Sequence, residues 1–259
     1  MGLTVDLNSD LGEGYGIYTL GLDGPILDVV TSVSVACGLH AGDPLVMEAT
    51  VKAATTRGLG IGAHPGYPDL QGFGRRQMAL SPGEARSFVV YQIGALEAFV
   101  RAYGGRLQHV KPHGAMYNMA ARDYRLARAI AEGIRSVDSS LILLALANSE
   151  MIRAGRDAGL RVAGEVFADR AYNADGSLVS RGTPGAIIED PDIAVSRVVR
   201  MVTEGRVTAI DGTDIPIKVD SVCVHGDSPG APALIKGLRK SMEEYGVSLA
   251  PLASFLGRG

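Results

Sequence analysis

The chain lacks tryptophan and contains few aromatic residues. Phe and Tyr together make up 5% of its 259 residues, so we expect a core of Val, Ile, Leu and Ala. Cys37 and Cys223, the two cysteines, lie in apolar segments without a CxxC pair, which predicts buried, reduced thiols. No apolar run approaches the roughly 18 residues of a transmembrane helix, and the N-terminus lacks the basic and apolar regions of a signal peptide. These absences predict a cytoplasmic protein.

An excess of positive charge is also missing. The 25 Lys and Arg residues are outnumbered by 28 Asp and Glu residues, and the formal net charge is −3. This balance argues against the basic face that nucleic-acid or membrane-surface binding requires. The chain has no GxxxxGK(S/T) motif, no GxGxxG motif after a strand and no GxSxG nucleophile motif. A nucleotide would therefore have to be held by loop amides, helix N-termini, Arg and Lys.

Seven apolar, strand-like segments recur along the chain, and each ends in a cluster of ionisable or amide side chains. Helix-start signals, such as Asp43-Pro44 and the capping box from Ser81 to Glu84, lie between these segments, as in a parallel β/α fold. Polar groups at all seven strand ends favour a barrel over an open sheet, whose site lies at one switch point. We predict one α/β barrel domain over residues 1–259, with strands at 3–8, 32–37, 60–63, 107–112, 141–146, 161–167 and 221–225.

Other segments depart from this repeat. The run Val247–Leu252 is interpreted as an eighth strand or as a closing segment, and we favour seven barrel strands. Residues 206–219 contain two alternating runs around Asp211-Gly212, which predicts a hairpin outside the barrel. Residues 65–80 form a loop rich in Gly, Pro and Arg. Further helices are predicted from Asp190-Pro191 and Ser228-Pro229, and at 119–135 and 149–158.

Four of the five histidines stand at the predicted strand ends. In a barrel these imidazoles would converge at one mouth with the carboxylates that follow the same strands. Imidazoles and carboxylates packed together shift each other's pKa values, which suits proton transfer near neutral pH. His109, by contrast, lies within its strand and is interpreted as a core or supporting residue. The expected acid/base group is Asp10, Glu13, His40, His64, His113, Asp169 and His225.

Metal binding is an alternative role for part of this cluster. Asp10, His40, His64 and His113 would make a plausible His/Asp ligand set. No two of them have a local ligand spacing such as HxxxH, so the signal depends on the fold. The sequence alone leaves the presence of a divalent metal open.

Three cations stand near the same strand ends. Lys111 precedes His113 by two residues, so strand alternation places both on one side. We interpret Lys111 as a buried cation paired with a carboxylate, as a ligand for an anionic oxygen or, with a carbonyl substrate, as a Schiff-base lysine. Arg75 and Arg76 can hold a phosphate or carboxylate, or can simply be solvated.

The segments that carry these residues are similar to the motifs of one protein family. The matching motifs cover this chain nearly end to end, and through them the chain resembles the LamB/YcsF family. It departs from the family at Ser9, Leu39 and Met116, where Cys, Phe and Leu are common, and none of these positions is assigned to catalysis. The matching motifs are LNSDLGEGYG at 7–16, VACGLHAGDP at 35–44, IGAHPGYPDLQGFGRR at 61–76, VKPHGAMYN at 110–118, EVFADRAYNADGSLVSR at 165–181 and VCVHGDSP at 222–229.

The resemblance implies a distorted seven-stranded β/α barrel of the glycoside hydrolase/deacetylase type. It also implies hydrolysis of 5-oxoproline to glutamate coupled to hydrolysis of ATP, with ATP as co-substrate and companion B and C subunits as partners. Lys111, Arg75 and Arg76 would then be the cations that face phosphate. The catalytic residues assigned for this chemistry are Asp10, Glu13, His40, His64, Lys111 and His113. The residues assigned to substrate binding are Asn8, Asp43, Arg75, Arg76, Asn118, Glu165, Asp169, Arg170, His225 and Asp227.

Two other functions stay open from the sequence. One is a metal-dependent deacetylase or carbohydrate hydrolase on the same barrel, and the other is a non-catalytic protein that binds small acids; a homo-oligomer is compatible with any of them. Because the chain has no nucleotide motif, we expect little activity from it alone. The loop at 65–80, where Arg75 and Arg76 adjoin Phe73, is expected to dock a partner protein or to act as a lid over the pocket.

Overall fold

Seven parallel strands close into a barrel in the structure, a computed structural model that describes residues 2–20, 23–224 and 231–257. Neighbouring strands pair around the ring, and the last barrel strand pairs again with the first. This closure confirms the α/β barrel predicted from the sequence. The barrel strands are β1 (Thr4–Leu11), β2 (Ser32–Ala36), β3 (Gly60–His64), β4 (Leu107–Val110), β5 (Ile142–Leu146), β6 (Arg161–Phe167) and β9 (Ser221–Cys223).

Helices surround the barrel, and their apolar sides pack on its outer face. The longest one starts with the predicted capping box, in which Ser81 and Glu84 each accept from the other's backbone N–H. Its buried face, which includes Val89, Ile93 and Leu96, belongs to one continuous apolar core with the barrel strands. The helices are α1 (Asp23–Leu27), α2 (Pro44–Thr56), α3 (Pro82–Ala102), α4 (Gly114–Ala120), α5 (Tyr124–Val137), α6 (Glu150–Asp157), α7 (Pro191–Glu204), α8 (Ala231–Glu244) and α9 (Leu252–Phe255).

The structure corrects the single helix predicted at 119–135. Two helices occupy this region, because α4 starts directly after His113 and a separate α5 follows it. Asp123 caps α5 by accepting from the backbone N–H groups of Arg125 and Leu126, which ends one helix and starts the next. From the sequence alone, Asp123 falls inside a continuous helical pattern. The predicted start of the last long helix at Ser228-Pro229 lies outside the described residues.

Two short pairings lie beside the barrel. The predicted hairpin forms an antiparallel pair, β7 (Arg206–Thr208) and β8 (Asp214–Pro216), in a sheet of its own. Within the run Val247–Leu252, β10 (Ser248–Leu249) extends the sheet at the start of β1, so the barrel itself keeps seven strands. Both cysteines are buried and free, as predicted. Among the described residues, none of the helices is both long and apolar enough to cross a lipid bilayer.

Strand β1 shows how the barrel separates polar from apolar residues. Its alternate residues Leu7 and Leu11 join the core outside the barrel, whereas Asp6 and Asn8 make hydrogen bonds across its interior, for example to the hydroxyl of Ser221. All seven strands run the same way, so their carboxyl ends share one mouth. The polar side chains at the strand ends are therefore brought together there.

Candidate active site

A cavity of about 820 Å³ opens at the carboxyl ends of the strands. Asp10, Glu13, His64, Lys111 and His113 line it, although they come from segments that are far apart in the sequence. His40 lies directly behind this wall, with its ring stacked on that of His113 at 3.8 Å between centroids. The structure thus brings together the six residues that the sequence assigned to catalysis.

The ammonium group of Lys111 lies at this mouth and is paired with two carboxylates. Its Nζ lies 2.9 Å from Oδ1 of Asp10 and 2.7 Å from Oε1 of Glu165, and the side chain is 2% exposed. Burial alone lowers the pKa of Lys111, but the negative charges of Asp10 and Glu165 outweigh it and raise the pKa well above its usual value. Lys111 is therefore a fixed ammonium ion, and a protonated amine is not a Schiff-base nucleophile.

Glu165 lies beneath Lys111 and is completely buried. Its two oxygens accept hydrogen bonds from the side chains of Asn8, at 3.0 Å, and Tyr117, at 2.7 Å. Asn8 also accepts from Lys111 at 3.3 Å, so Asn8 and Glu165 hold the ammonium group rather than line the cavity. Tyr117 was missed by the sequence reasoning; its place one helical turn after His113, in the motif VKPHGAMYN, was the available signal.

The hydrogen bonds of His64 and His113 determine where their protons lie. Nδ1 of His64 is 2.7 Å from the carbonyl oxygen of Lys111, and Nε2 of His113 is 2.8 Å from that of Phe73. A carbonyl oxygen only accepts, so both of these nitrogens carry hydrogen. The remaining nitrogens, Nε2 of His64 and Nδ1 of His113, face each other at 2.9 Å. Two neutral rings would point lone pairs at each other, so this contact calls for a cation between them, either an extra proton or a metal ion.

Glu13 completes a compact group with the three imidazoles. Its Oε1 lies 3.4 Å from Nδ1 of His113, 3.5 Å from Nε2 of His40 and 3.9 Å from Nε2 of His64. One ligand atom from each of these four residues lies within 4.8 Å of the others. Within the described part of the chain, neither ring nitrogen of His40 has a hydrogen-bond partner. The group most suited to a metal thus contains Glu13, while Asp10 mainly contacts Lys111 and lies 3.4 Å from His64.

Burial disfavours the protonated form of the histidines of this group. It lowers the pKa of His40 and of His113 to about 3, and it lowers the pKa of His64 well below its usual value. Neutral imidazoles accept protons from substrates and donate lone pairs to metal ions. His109 is also buried, but its ring is 3.2 Å from the hydroxyl of Ser34 and 3.1 Å from the amide of Gln108, away from the group. It occupies the core position that the sequence indicated.

The loop at 65–80 forms a wall of the site. The ring of Phe73 packs edge-on against His40 and His113, and the guanidinium of Arg75 lies over it at 4.9 Å. Arg76 instead makes a bidentate ion pair with the buried carboxylate of Asp69, whose pKa this contact lowers to about 2. Arg75 lines the cavity and Arg76 does not.

The remaining predicted substrate-binding residues separate into groups. Asn118 and Arg170 line the cavity. Asp43 caps α2, accepting from the N–H groups of Leu45 and Val46, and does not line the cavity. Asp169 is half-buried beside Arg170 and outside the lining. His225 and Asp227 lie outside the described residues. Polar residues that line the cavity but were not singled out from the sequence for it are Asp23, Gln77, Tyr117, Arg122, Asn173, Ser177, Ser180, Arg181 and Thr183.

Comparison with known proteins agrees with these motifs over nearly the whole chain. The family model described as LamB/YcsF family matches residues 5–257. The A subunit of 5-oxoprolinase from Clostridium beijerinckii is 57% identical, with 96% of this chain and 97% of the relative covered. A protein of the same name from Pyrococcus abyssi is 54% identical, with 98% and 100% covered.

Solved structures share the fold. The "Lactam Utilization Protein" from Thermus thermophilus superimposes with a TM-score of 0.90 at 46% identity, covering 96% of this chain and 99% of that one. A putative cellobiose-phosphate cleavage protein from Enterococcus faecalis reaches a TM-score of 0.60 at 16% identity, covering 99% of this chain and all of that one, which shows the barrel alone. On its motifs, its fold and these matches, the chain belongs to the LamB/YcsF family.

Proposed function

We propose that this chain is the A subunit of a 5-oxoprolinase, which hydrolyses 5-oxo-L-proline to L-glutamate with hydrolysis of ATP to ADP and phosphate. The observation that carries the proposal is full-length identity of 54–57% to relatives of that name, combined with the fold shared with a lactam utilization protein. The cavity supports it, since a fixed cation, carboxylates and neutral imidazoles converge on one space.

The chemistry of a lactam explains why such a site needs ATP. The ring amide is a poor electrophile, and transfer of the γ-phosphoryl group to its oxygen turns that oxygen into a leaving group. Water then adds to the same carbon, the ring nitrogen receives a proton as the C–N bond breaks, and a second water molecule hydrolyses the resulting acyl phosphate to glutamate and phosphate. In this proposal His64 and His113 move protons, Glu13 and Asp10 orient water and balance charge, and the ammonium of Lys111 stabilises developing negative charge.

A divalent metal ion also fits this group of residues, and with the ion bound His64 and His113 would be its ligands instead of proton-transfer groups. The proposed ligands are Glu13, His40, His64 and His113, whose ligand atoms converge within 4.8 Å. Backbone carbonyls hold the outer nitrogens of His64 and His113, which is the usual arrangement behind metal-bound histidines. Such an ion would satisfy the two facing lone pairs and a nitrogen of His40. When bound, it would polarise the lactam oxygen or a water molecule.

Metal analysis of the purified chain tests this ligand set. We expect about one equivalent of a divalent metal, and its loss in His64→Ala and His113→Ala. The matched control is His109→Ala, which removes a buried histidine that lies away from the group and should keep the metal. Equal metal content in all four proteins would overturn the ligand set, and an extra proton would then be the cation between His64 and His113.

Companion subunits are part of the proposal. The relatives are named as subunits, and this chain has no nucleotide motif of its own, so we propose that the full reaction needs the B and C subunits. Because Phe73 packs inward, a better candidate contact is the segment at 15–20, where Tyr15, Ile17 and Tyr18 are 42%, 90% and 75% exposed beside the cavity. Ile17→Ser should weaken co-purification of the subunits, whereas Tyr91→Ser, which changes another exposed side chain on α3, should not.

A requirement for ATP and the two reduced thiols support a cytoplasmic location.

A metal-dependent deacetylase or carbohydrate hydrolase is the second candidate, and the group of Glu13 with three histidines is the observation that favours it. To distinguish the two, the chain is co-expressed with its companion subunits, and glutamate and phosphate are measured with ATP and 5-oxoproline. Equal release of both products, dependent on all three subunits, is expected. Deacetylation of N-acetyl sugars without ATP would support the second candidate. Binding of 5-oxoproline without any turnover would instead indicate a non-catalytic small-acid-binding protein.

A further inference from the structure

Two of the three cations that the sequence placed near phosphate are already used within the protein. The ammonium of Lys111 is held between the carboxylates of Asp10 and Glu165. Arg76 is paired with Asp69 outside the cavity. Because Lys111 and Arg76 are already paired with carboxylates, the counter-charge for a phosphate group has to come from other residues of the cavity.

The segment after β6 supplies further arginines. Arg170 and Arg181 line the cavity together with Arg75, and Arg170 is 5% exposed. One of its Nη atoms donates to the carbonyl oxygen of Val179 at 2.5 Å, while its Nε has no hydrogen-bond partner within the described ranges. An unused donor on a buried guanidinium is costly unless a ligand completes it, and a guanidinium fork matches an oxyanion.

Arg75 and Arg181 both act on the charge of Arg170. Burial first, and then the positive charge of Arg181 and of Arg75, lower the pKa of Arg170 to about 10, while Asp169 partly opposes the shift. The positive charges of Arg75 and Arg181 thus disfavour the charged form of Arg170, and all three residues line the same cavity. Binding of an anion with more than one negative charge would offset this effect.

Backbone contacts hold the segment in place. The chain at Arg170 pairs with Ile187, and the chain at Tyr172 pairs with Leu178. The carbonyl oxygen of Arg170 also accepts from Arg197 of α7 at 3.2 Å. The hydroxyl of Tyr172 accepts from the backbone N–H of Phe167 at 2.9 Å, which fixes the segment to the end of β6. The arginines are therefore presented by an organised loop rather than by a surface tail.

We propose that Arg75, Arg170 and Arg181 form the site that binds the phosphate groups of the nucleotide in this chain. The inference rests on the proposed ATP-dependent function. A phosphate chain suits the site better than the single carboxylate of 5-oxoproline, because its several oxyanions can contact guanidinium groups from both the loop at 65–80 and the segment after β6. The cavity of about 820 Å³ is also far larger than a five-membered lactam needs.

Kinetics of the complete complex test the proposal with Arg75→Ala and Arg181→Ala. The matched control is Arg128→Ala, which removes one Arg from an ion pair with Glu132 on α5, outside the cavity. We expect the KM for ATP to rise about 10- to 100-fold in the two test variants, as for loss of a charge-assisted contact, with little change in the KM for 5-oxoproline. Arg170→Lys, which keeps the charge but loses the fork, should show the same pattern if Arg170→Ala does not fold.

Any other pattern overturns the site. A rise confined to the KM for 5-oxoproline would assign the arginines to the substrate carboxylate. Unchanged KM values for both substrates would show that the three arginines bind neither of them. If the wild-type complex makes no glutamate, the proposed function fails, and inorganic tripolyphosphate then tests the arginines separately. Its binding to the isolated chain, followed by calorimetry, should weaken at least about tenfold in Arg181→Ala and remain unchanged in Arg128→Ala; absence of binding to wild type would also overturn the site.

Discussion

The barrel contains two buried polar clusters, and they differ in how completely their hydrogen bonds are satisfied. In the inner cluster, the carboxylate of Asp6 accepts from the hydroxyls of Thr31, Ser32 and Ser221 at 2.5 to 2.8 Å. In the mouth cluster, made of Asp10, Glu13, His40, His64, Lys111 and His113, two imidazole nitrogens face each other, and neither nitrogen of His40 has a hydrogen-bond partner among the described residues. The inner cluster is complete without a ligand, whereas the mouth cluster keeps unused lone pairs beside a cavity.

Whether hydrogen bonds are satisfied distinguishes buried polar residues with a structural role from those with a functional role better than the extent of burial does. Asp6 and His64 are buried to a similar extent, so exposure alone would place them in one class. A buried group whose donors and acceptors are all bonded within the protein affects only the stability of the fold. A buried group with an unbonded donor or acceptor beside a cavity is suited to bind a ligand. The same test divides His109 from His113, while Arg76 and Arg75 differ in that only Arg75 lines the cavity. Substituting both members of each pair tests the comparison of the two clusters.

Replacing His113 with Ala should have the largest effect on activity. We expect kcat of the complex to fall about 10²- to 10⁴-fold, because a proton-transfer or ligand group is removed. His109→Ala should keep kcat within about threefold and lose stability instead, as is typical for a buried, hydrogen-bonded side chain. Steady-state assays and thermal unfolding of both variants check this pair. Similar losses of kcat in the two variants would break the distinction between core and mouth histidines.

Replacing Lys111 with Met should have the largest effect on stability. The change leaves Asp10 and Glu165 without their shared cation in a buried place, so we expect the free energy of unfolding to fall by about 3–5 kcal/mol. Lys218→Met, which removes an exposed lysine 3.1 Å from Asp220, should cost at most about 1 kcal/mol. Urea unfolding measures both. A second change, Glu165→Gln, should recover part of the loss, and no recovery would contradict the assigned ion pair.

The inner cluster should show itself in the pH dependence of stability. Burial raises the pKa of Asp6 from 3.8 to about 6, against the opposing hydroxyl hydrogen bonds. The folded state then binds more protons than the unfolded state between these values, so stability falls as the pH rises through this window. The stability of Asp6→Asn relative to wild type should therefore rise by about 2 kcal/mol from pH 4 to pH 7.

Urea unfolding at several pH values tests the Asp6 prediction. The control is Asp28→Asn, an exposed carboxylate paired with Arg57, whose difference from wild type should vary by less than about 1 kcal/mol. A flat difference for Asp6→Asn would mean that the three hydroxyls compensate its burial fully. The kcat of Asp6→Asn should remain near that of wild type, because Asp6 does not line the cavity.

The smallest effect is expected for Arg76. Its guanidinium is 65% exposed and paired with Asp69 outside the cavity, so Arg76→Ala should change the KM for each substrate by about threefold or less. Its neighbour Arg75 lines the cavity and serves as the contrasting variant in the same assay. A large rise in the KM for ATP from Arg76→Ala alone would reassign the two arginines.

The fold and most of the mouth could be predicted from the sequence. Apolar runs that end in polar clusters indicate parallel strands, and the capping signals at Asp43, Ser81 and Asp190 mark where α2, α3 and α7 begin. The continuous helix predicted at 119–135 was wrong, because the cap at Asp123 competes with an otherwise helical pattern and local signals do not decide between them. Tyr117 and Arg181 were not singled out, since neither stands at a strand end.

The sequence by itself determined the family, the order of strands and helices, and which residue types gather at the barrel mouth. These follow from local periodicity and from motifs that are contiguous in the chain. Only the tertiary structure decided how those residues pair: Glu13 approaches all three histidines whereas Asp10 approaches His64, Lys111 is held by Asp10 and Glu165, and Arg170 lines the cavity. The physical reason is that hydrogen bonds and charge pairs depend on distances of a few ångströms between residues far apart in the chain, which no local pattern encodes.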